Sequence, residues 1–156
     1  MKARWAEARD LGVLPGIEAS GDALFAEAGI VFEAGPTVIE QVAGTARVLV
    51  VGDPPLGFAA LSDVDGLPYL EQISVAADRL GKGFGAVLLR AAIAESGDGL
   101  TLLTFRDVPW NGPWYRHFGF EELPPSAWGP RLREHWQAEI DAGLHELGPR
   151  LAMRRP

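Results

Sequence analysis

Hydrophobic positions along the chain switch repeatedly between strand-like and helical spacing, and the turns at 53–55, 65–66, 81–85 and 97–99 carry Gly or Pro. Residues 46–51 form a continuous apolar run, Asp53-Pro54-Pro55 reads as a turn, and residues 56–64 supply a hairpin partner. Asp65-Gly66 is a second turn and residues 67–75 a third strand, which makes an antiparallel meander. Ahead of it, residues 2–6 suit a short first strand. Leu11, Leu14, Ile17, Leu24 and Phe25 then follow a helical stripe interrupted at Pro15 and Gly21, predicting one or two short helices. From Phe84 the apolar positions Val87, Leu88, Ala91 and Ala92 repeat at helical spacing until Gly97-Asp98-Gly99, and residues 100–105 read as a buried strand. Strand, glycine turn, helix and strand make a right-handed crossover. Further on, the pattern predicts a short helix over 113–118, a strand over 120–123, an amphipathic helix over 131–142 and a closing strand over 147–153. The whole is a mixed α/β chain without internal repeat or interdomain linker.

With 156 residues, 47% of them hydrophobic, the chain has enough apolar side chains for one sizeable core, and residues 1–156 are expected to form a single domain. The absence of cysteine excludes disulfides, thiolate metal sites and a cysteine nucleophile. No run approaches the ~20 apolar residues of a membrane span, and the first ten residues carry alternating charges, so a cytoplasmic location is expected. A net charge of −7 repels nucleic acid and anionic membranes and suits a neutral or cationic partner. Arg150, Arg154 and Arg155 are expected to flank the last strand and face solvent.

The crossover turn carries the most chemistry. In Ala77-Asp78-Arg79-Leu80-Gly81-Lys82-Gly83-Phe84-Gly85-Ala86, three alternating glycines separate an apolar strand from a helix. Such a turn lets a ligand approach the backbone, and the helix behind it offers unpaired N–H groups and its positive end to an anion. A diphosphate-bearing ligand fits. Gly81-Lys82-Gly83 lacks the hydroxyl residue of a Walker A loop, and the strand over 100–105 ends without the acid of a dinucleotide fingerprint.

The segment Ile73-Ser74-Val75-Ala76-Ala77-Asp78 followed by Leu80-Gly81-Lys82-Gly83-Phe84-Gly85 resembles the cofactor motif of the GNAT superfamily of acyl-CoA-dependent N-acyltransferases, written Q/R-x-x-G-x-G/A. Leu80 stands where that motif has Gln or Arg, with Arg79 one residue earlier. A second block, Trp110-Asn111-Gly112-Pro113-Trp114-Tyr115-Arg116-His117-Phe118-Gly119-Phe120, resembles the family's later Asn, Tyr and Gly-Phe segment, with a short spacing between Asn111 and Tyr115. The resemblance implies a mostly antiparallel mixed sheet of about six to seven strands flanked by helices, with a parallel crossover at the cofactor site. It implies acetyl-CoA as acyl donor, held by backbone groups of Ile73, Ser74 and Val75 and by Leu80, Gly81, Lys82, Gly83, Phe84, Gly85 and Ala86. Asn111 either holds the pantetheine or caps the following helix.

Direct transfer from a thioester to a primary amine needs a base, an oxyanion donor and a proton for the thiolate. Glu71, in the strand before the turn, is the candidate base; the alternative is a half-exposed strand residue paired with a neighbour. Tyr115 sits where the family places the tyrosine that protonates the CoA sulfur; the alternative is a core tyrosine. His117 could act as base but, as a lone histidine beside a helix end, reads as structural. Glu18, Phe25, Trp110 and Trp128, with Trp136, are the candidate acceptor-binding residues for a small-molecule or peptide amine. The same tryptophan-rich stretches suit core packing or a homodimer interface. Scattered histidines and no H-E-x-x-H pattern leave no role for a metal. Rival readings are a transferase for a longer acyl-CoA and a non-catalytic acyl-CoA-binding or interaction domain.

Overall fold

The computed structural model describes residues 1–156. Seven strands form one sheet in the order β1-β2-β3-β4-β5-β7-β6. They are β1 (Ala3–Trp5), β2 (Arg47–Val51), β3 (Gly57–Val64), β4 (Leu67–Val75), β5 (Thr101–Phe105), β6 (Glu121–Glu122) and β7 (Arg150–Arg154). β4 and β5 run parallel, with Tyr69 opposite Thr101, while β1–β2, β2–β3, β5–β7 and β6–β7 are antiparallel. The mixed sheet flanked by helices matches the expected fold. The chain divides into two compact units, one of Met1–Ser62 with Leu70–Gly97, the other of Asp63–Tyr69 with Asp98–Pro156.

In the first unit, β2 is apolar on both faces because both are covered, and Val48, Leu49, Val50 and Val51 are all buried. Val48 and Val50 pack with Phe58 and Ala60 of β3, Leu14 and Ile17 of α1 (Leu14–Ser20), and Ile39. Pro15 occupies the first turn of α1 and so opens that helix; its missing N–H falls where no intrahelical bond exists. Gly21 does divide α1 from α2 (Asp22–Glu27). A helix that the apolar pattern did not predict, α3 (Val38–Val42), starts at a capping box in which Thr37 and Glu40 bond each other's backbone N–H. Five residues are too few for a helical stripe, although the spacing Thr37-x-x-Glu40 is a readable start signal. β1 is pinned by its central residue, Arg4, which makes a two-pronged bond to the buried Asp10 at 2.7 and 2.9 Å. The first unit also contains α4 (Phe84–Ser96).

In the second unit, β7 lies between β5 and β6, with Leu151, Ala152 and Met153 buried. α5 (Gly112–His117) follows β5 and presents Tyr115 to Phe120 edge-on, with ring centroids 5.5 Å apart. α6 (Pro130–Asp141) buries Leu132 against Val64, Tyr69 and Ala152. α7 (Leu144–Leu147) occupies the start of the predicted closing strand, which therefore begins later, at Arg150. The C-terminal arginines do not simply face solvent. Arg150 pairs with Glu139, Arg154 Nε donates to Thr101 Oγ1, and Arg155 Nε donates to the Phe118 carbonyl. No helix is long and apolar enough to cross a membrane.

Candidate active site

The glycine turn takes its shape from two of its three glycines. After β4 a single 3-10 turn (Ala77–Arg79) leads to Leu80 and then to Gly81 and Gly83, whose φ angles of 77° and 84° lie in the left-handed region. A Cβ at either position would touch nothing within 4 Å, so the glycines answer a conformational need and leave open space before the turn. Gly83 is the N-cap of α4, and no side chain caps that end. The first-turn N–H groups, among them those of Gly85 and Ala86, are left to an outside acceptor. A diphosphate supplies acceptor oxygens and a charge that the helix dipole favours. Gly85 itself is within the helix and needs no special conformation. Lys82 is exposed on the turn, and Leu80 is 44% exposed, so neither is held by packing.

The strand leading into the turn is fixed from behind. A Cβ on Gly57 would lie 2.9 Å from the Ser74 carbonyl oxygen and 3.0 Å from Leu88, so β3 and α4 close on the Ser74–Val75 backbone only because residue 57 is glycine. The Ala76 N–H donates to the Leu56 carbonyl at 2.8 Å, and the Ala77 N–H to Ser20 Oγ at 3.0 Å. Glu71 is half-buried on β4, where Ser62 Oγ donates to its Oε1 at 2.7 Å. Gln72 instead bonds Ser74 Oγ at 3.1 Å, on the alternate face of the strand.

Glu18, on α1, is engaged at both oxygens: Oε2 accepts the Val38 N–H at 2.7 Å and Oε1 the Ile39 N–H at 2.9 Å. It holds the start of α3, and burial raises its pKa against the lowering pull of those two amides. Phe25 meets Phe32 edge-on at 5.2 Å.

Asn111 is the N-cap of α5, yet its side chain does not cap; its Nδ2 donates to the Trp110 carbonyl at 3.0 Å. Gly112 is obligatory there, since a Cβ would run into the Arg106 carbonyl. That close approach lets the helix begin immediately, which accounts for the short Asn111–Tyr115 spacing, and the Tyr115 N–H donates to the Asn111 carbonyl at 2.9 Å. Tyr115 is buried, its ring bracketed by Trp114 and Phe120. Its hydroxyl makes no hydrogen bond within the chain, and burial raises its pKa above that of a free phenol, partly offset by the charge of Arg150. The phenol stays protonated throughout the neutral range.

Trp110, Trp114, Trp128 and Trp136 are half-buried rather than exposed. Trp128 Nε1 donates to the Leu123 carbonyl at 2.8 Å, and its ring lies 4.8 Å from that of Trp136. The candidate residues thus fall in both units: Glu18, Phe25, Glu71 and the glycine turn in the first, Trp110, Asn111, Tyr115 and Trp128 in the second.

The sequence profile of the Acetyltransferase (GNAT) domain matches residues 37–122. The chain belongs to the GNAT acetyltransferase family. The matched stretch includes Glu71, the glycine turn and Tyr115, whereas Glu18, Phe25 and Trp128 lie outside it.

Solved structures agree on the fold. The chain superimposes on N-acetylglutamate synthase from Neisseria gonorrhoeae, complexed with coenzyme A and N-acetyl-glutamate, with TM-score 0.66 and 19% identity. That match covers 99% of this chain but 34% of the synthase, so the chain spans about a third of that enzyme's length. The ribosomal-protein-S18-alanine N-acetyltransferase of Escherichia coli matches with TM-score 0.60 and 21% identity over 79% of each chain. A GNAT family acetyltransferase from Brucella melitensis, in complex with acetyl-CoA, gives TM-score 0.56 and 25% identity over 76% of this chain and 81% of its own.

Proposed function

We propose that residues 1–156 act as one acetyltransferase domain that binds acetyl-CoA and passes its acetyl group directly to a primary amine of a small molecule or peptide. The observation that carries this reading is the uncapped N-terminus of α4 behind the left-handed Gly81 and Gly83, in a chain of the GNAT family. The first-turn amides from Gly83 to Ala86 bind the pyrophosphate, and the backbone of Ile73, Ser74 and Val75 binds the pantetheine amides as an added strand would.

Glu71 takes a proton from the acceptor ammonium, directly or through water, and frees the nitrogen lone pair. The nitrogen bonds the acetyl carbon while a backbone N–H near Val75 steadies the oxyanion, and the carbon–sulfur bond then breaks. Tyr115 gives its proton to the departing thiolate and is reprotonated, through solvent, by the proton the nitrogen sheds as it becomes an amide; burial keeps the resting phenol neutral. Glu18, Phe25, Trp110 and Trp128 are assigned to the acceptor side, and no step calls for a metal.

Thermal unfolding with acetyl-CoA, CoA and NAD tests the donor before any acceptor is known, because a ligand bound only by the folded state raises the midpoint. A rise with acetyl-CoA and CoA but not NAD is expected. No rise at saturating CoA overturns the proposal. With an acceptor found by thiol release, Glu71→Gln and Tyr115→Phe should each cut kcat by ~100-fold or more. Binding of acetyl-CoA with no transfer across a broad amine panel would instead make the chain an acyl-CoA-binding domain.

A further inference from the structure

The second unit contains a cavity of about 150 Å³ floored by Leu151 and Ala152 of β7 and walled by Trp128 and Trp136. Its polar lining is two arginines and one carboxylate: Arg106, Arg150 and Glu122. Arg150 is the unusual member. Its side chain is only 8% exposed, and its guanidinium lies over the Phe105 ring at 4.5 Å, so it is held rigidly and largely dry. Nε and Nη2 both donate to Glu139 Oε1, at 3.3 and 2.8 Å, but Nη1 makes no hydrogen bond within the chain. Nη1 is not sealed from solvent, so an acceptor in the cavity can reach a guanidinium that already has one carboxylate partner. Arg106 is fixed by Glu122 at 2.9 and 3.4 Å and leaves its Nε free. Arg133 adds a third positive charge, 5.8 Å above the Trp128 ring. Arg106 and Arg150 each have one carboxylate partner, Glu122 and Glu139, and Arg133 stands outside the cavity lining.

Volume and walls restrict the occupant further. A cavity of this size holds one benzene-sized ring, and paired indoles favour a flat partner. We infer that this cavity binds a small planar carboxylate, with the ring against Trp128 and Trp136 and the carboxylate on Arg150 and Arg106. The site shares Trp128 with the acceptor side proposed above, but it is read from the cavity lining, and benzoate binding does not require acetyl transfer.

The test uses the full chain with benzoate, benzamide and benzylamine as probes, followed by calorimetry and by the indole N–H signals of the five tryptophans. Saturable benzoate binding is expected, shifting the Trp128 and Trp136 signals, with benzylamine at least ~10-fold weaker. Arg106→Gln, at a side chain that is 39% exposed, should keep the fold and weaken benzoate by ~10-fold. Arg150→Lys, which keeps the charge but loses the fork, should weaken it similarly. No saturable benzoate binding, benzylamine binding as tightly as benzoate, or unchanged affinity in both variants would overturn the inference.

Discussion

The carboxylate of Asp65, in the turn between β3 and β4, accepts the backbone N–H of Leu132 at 3.0 Å and that of Arg131 at 2.9 Å, across more than sixty residues. One side chain serves two elements: its left-handed φ of 55° turns the hairpin, and its oxygens satisfy the open N-terminus of α6. Gly129 is the counterpart, because a Cβ there would collide with the same carboxylate. Asp65→Ala should cost about 1–2 kcal/mol, lowering the thermal midpoint by about 3–6 °C. Asp65→Asn, which keeps one acceptor oxygen, should recover part of that loss.

Gly57 and Gly81 are both required glycines, for opposite reasons. Gly57→Ala forces a methyl against the Ser74 carbonyl and should destabilise the fold by about 1–3 kcal/mol in denaturant unfolding. Gly81→Ala meets no atom but strains a left-handed φ by about 1–2 kcal/mol in an exposed turn. Its main effect should therefore be weaker acetyl-CoA binding, measured by calorimetry, with only a small change in midpoint.

Tyr115→Phe separates chemistry from stability. The hydroxyl has no bond within the chain to lose, so the variant should be within about 0.5 kcal/mol of the parent at pH 7 while turnover falls. Alkaline pH then reverses the ranking. The folded phenol titrates above its unfolded value near 10, so the unfolded state loses its proton first, and the parent sheds stability as pH rises through that window. The variant escapes this loss. Midpoints from pH 8 upward should show Tyr115→Phe gaining on the parent above about pH 10.

Asp10 predicts the opposite limb. The Arg4 guanidinium, helped by the Glu7 N–H, holds the carboxyl well below the usual carboxylate range. A depressed folded value means stability that is complete above the unfolded pKa of about 4 and lost as pH falls below it. Asp10→Asn should unfold at a lower midpoint at pH 7, and the gap to the parent should close as pH is lowered toward 2 to 3. A gap of constant size would show that the Arg4–Asp10 pair acts through shape alone.

Most of the framework was legible in the apolar pattern, since strand alternation and helical stripes answer to burial on one face and need only near neighbours. α3 escaped that pattern because it is shorter than two turns and rests on the Glu18 carboxylate, twenty residues away. The turn at residues 144–147 escaped it too: Leu144-His145-Glu146-Leu147 is too short and polar for a helical stripe, and Leu147, expected to open the closing strand, instead ends a helical turn between Gly143, with φ 84°, and Gly148.

By itself the sequence determined the strand order of the meander, the crossover, the glycine turn and the family resemblance, because each depends on spacing within a few dozen residues. Only the tertiary structure decided what the charged side chains do. Glu18 holds a helix end, Asp65 reaches α6, Arg154 and Arg155 return to the chain, and Arg150 lies buried over Phe105 beside a cavity. Such pairings join residues distant in sequence, and a charge takes the partner that burial leaves within reach, which no local pattern encodes.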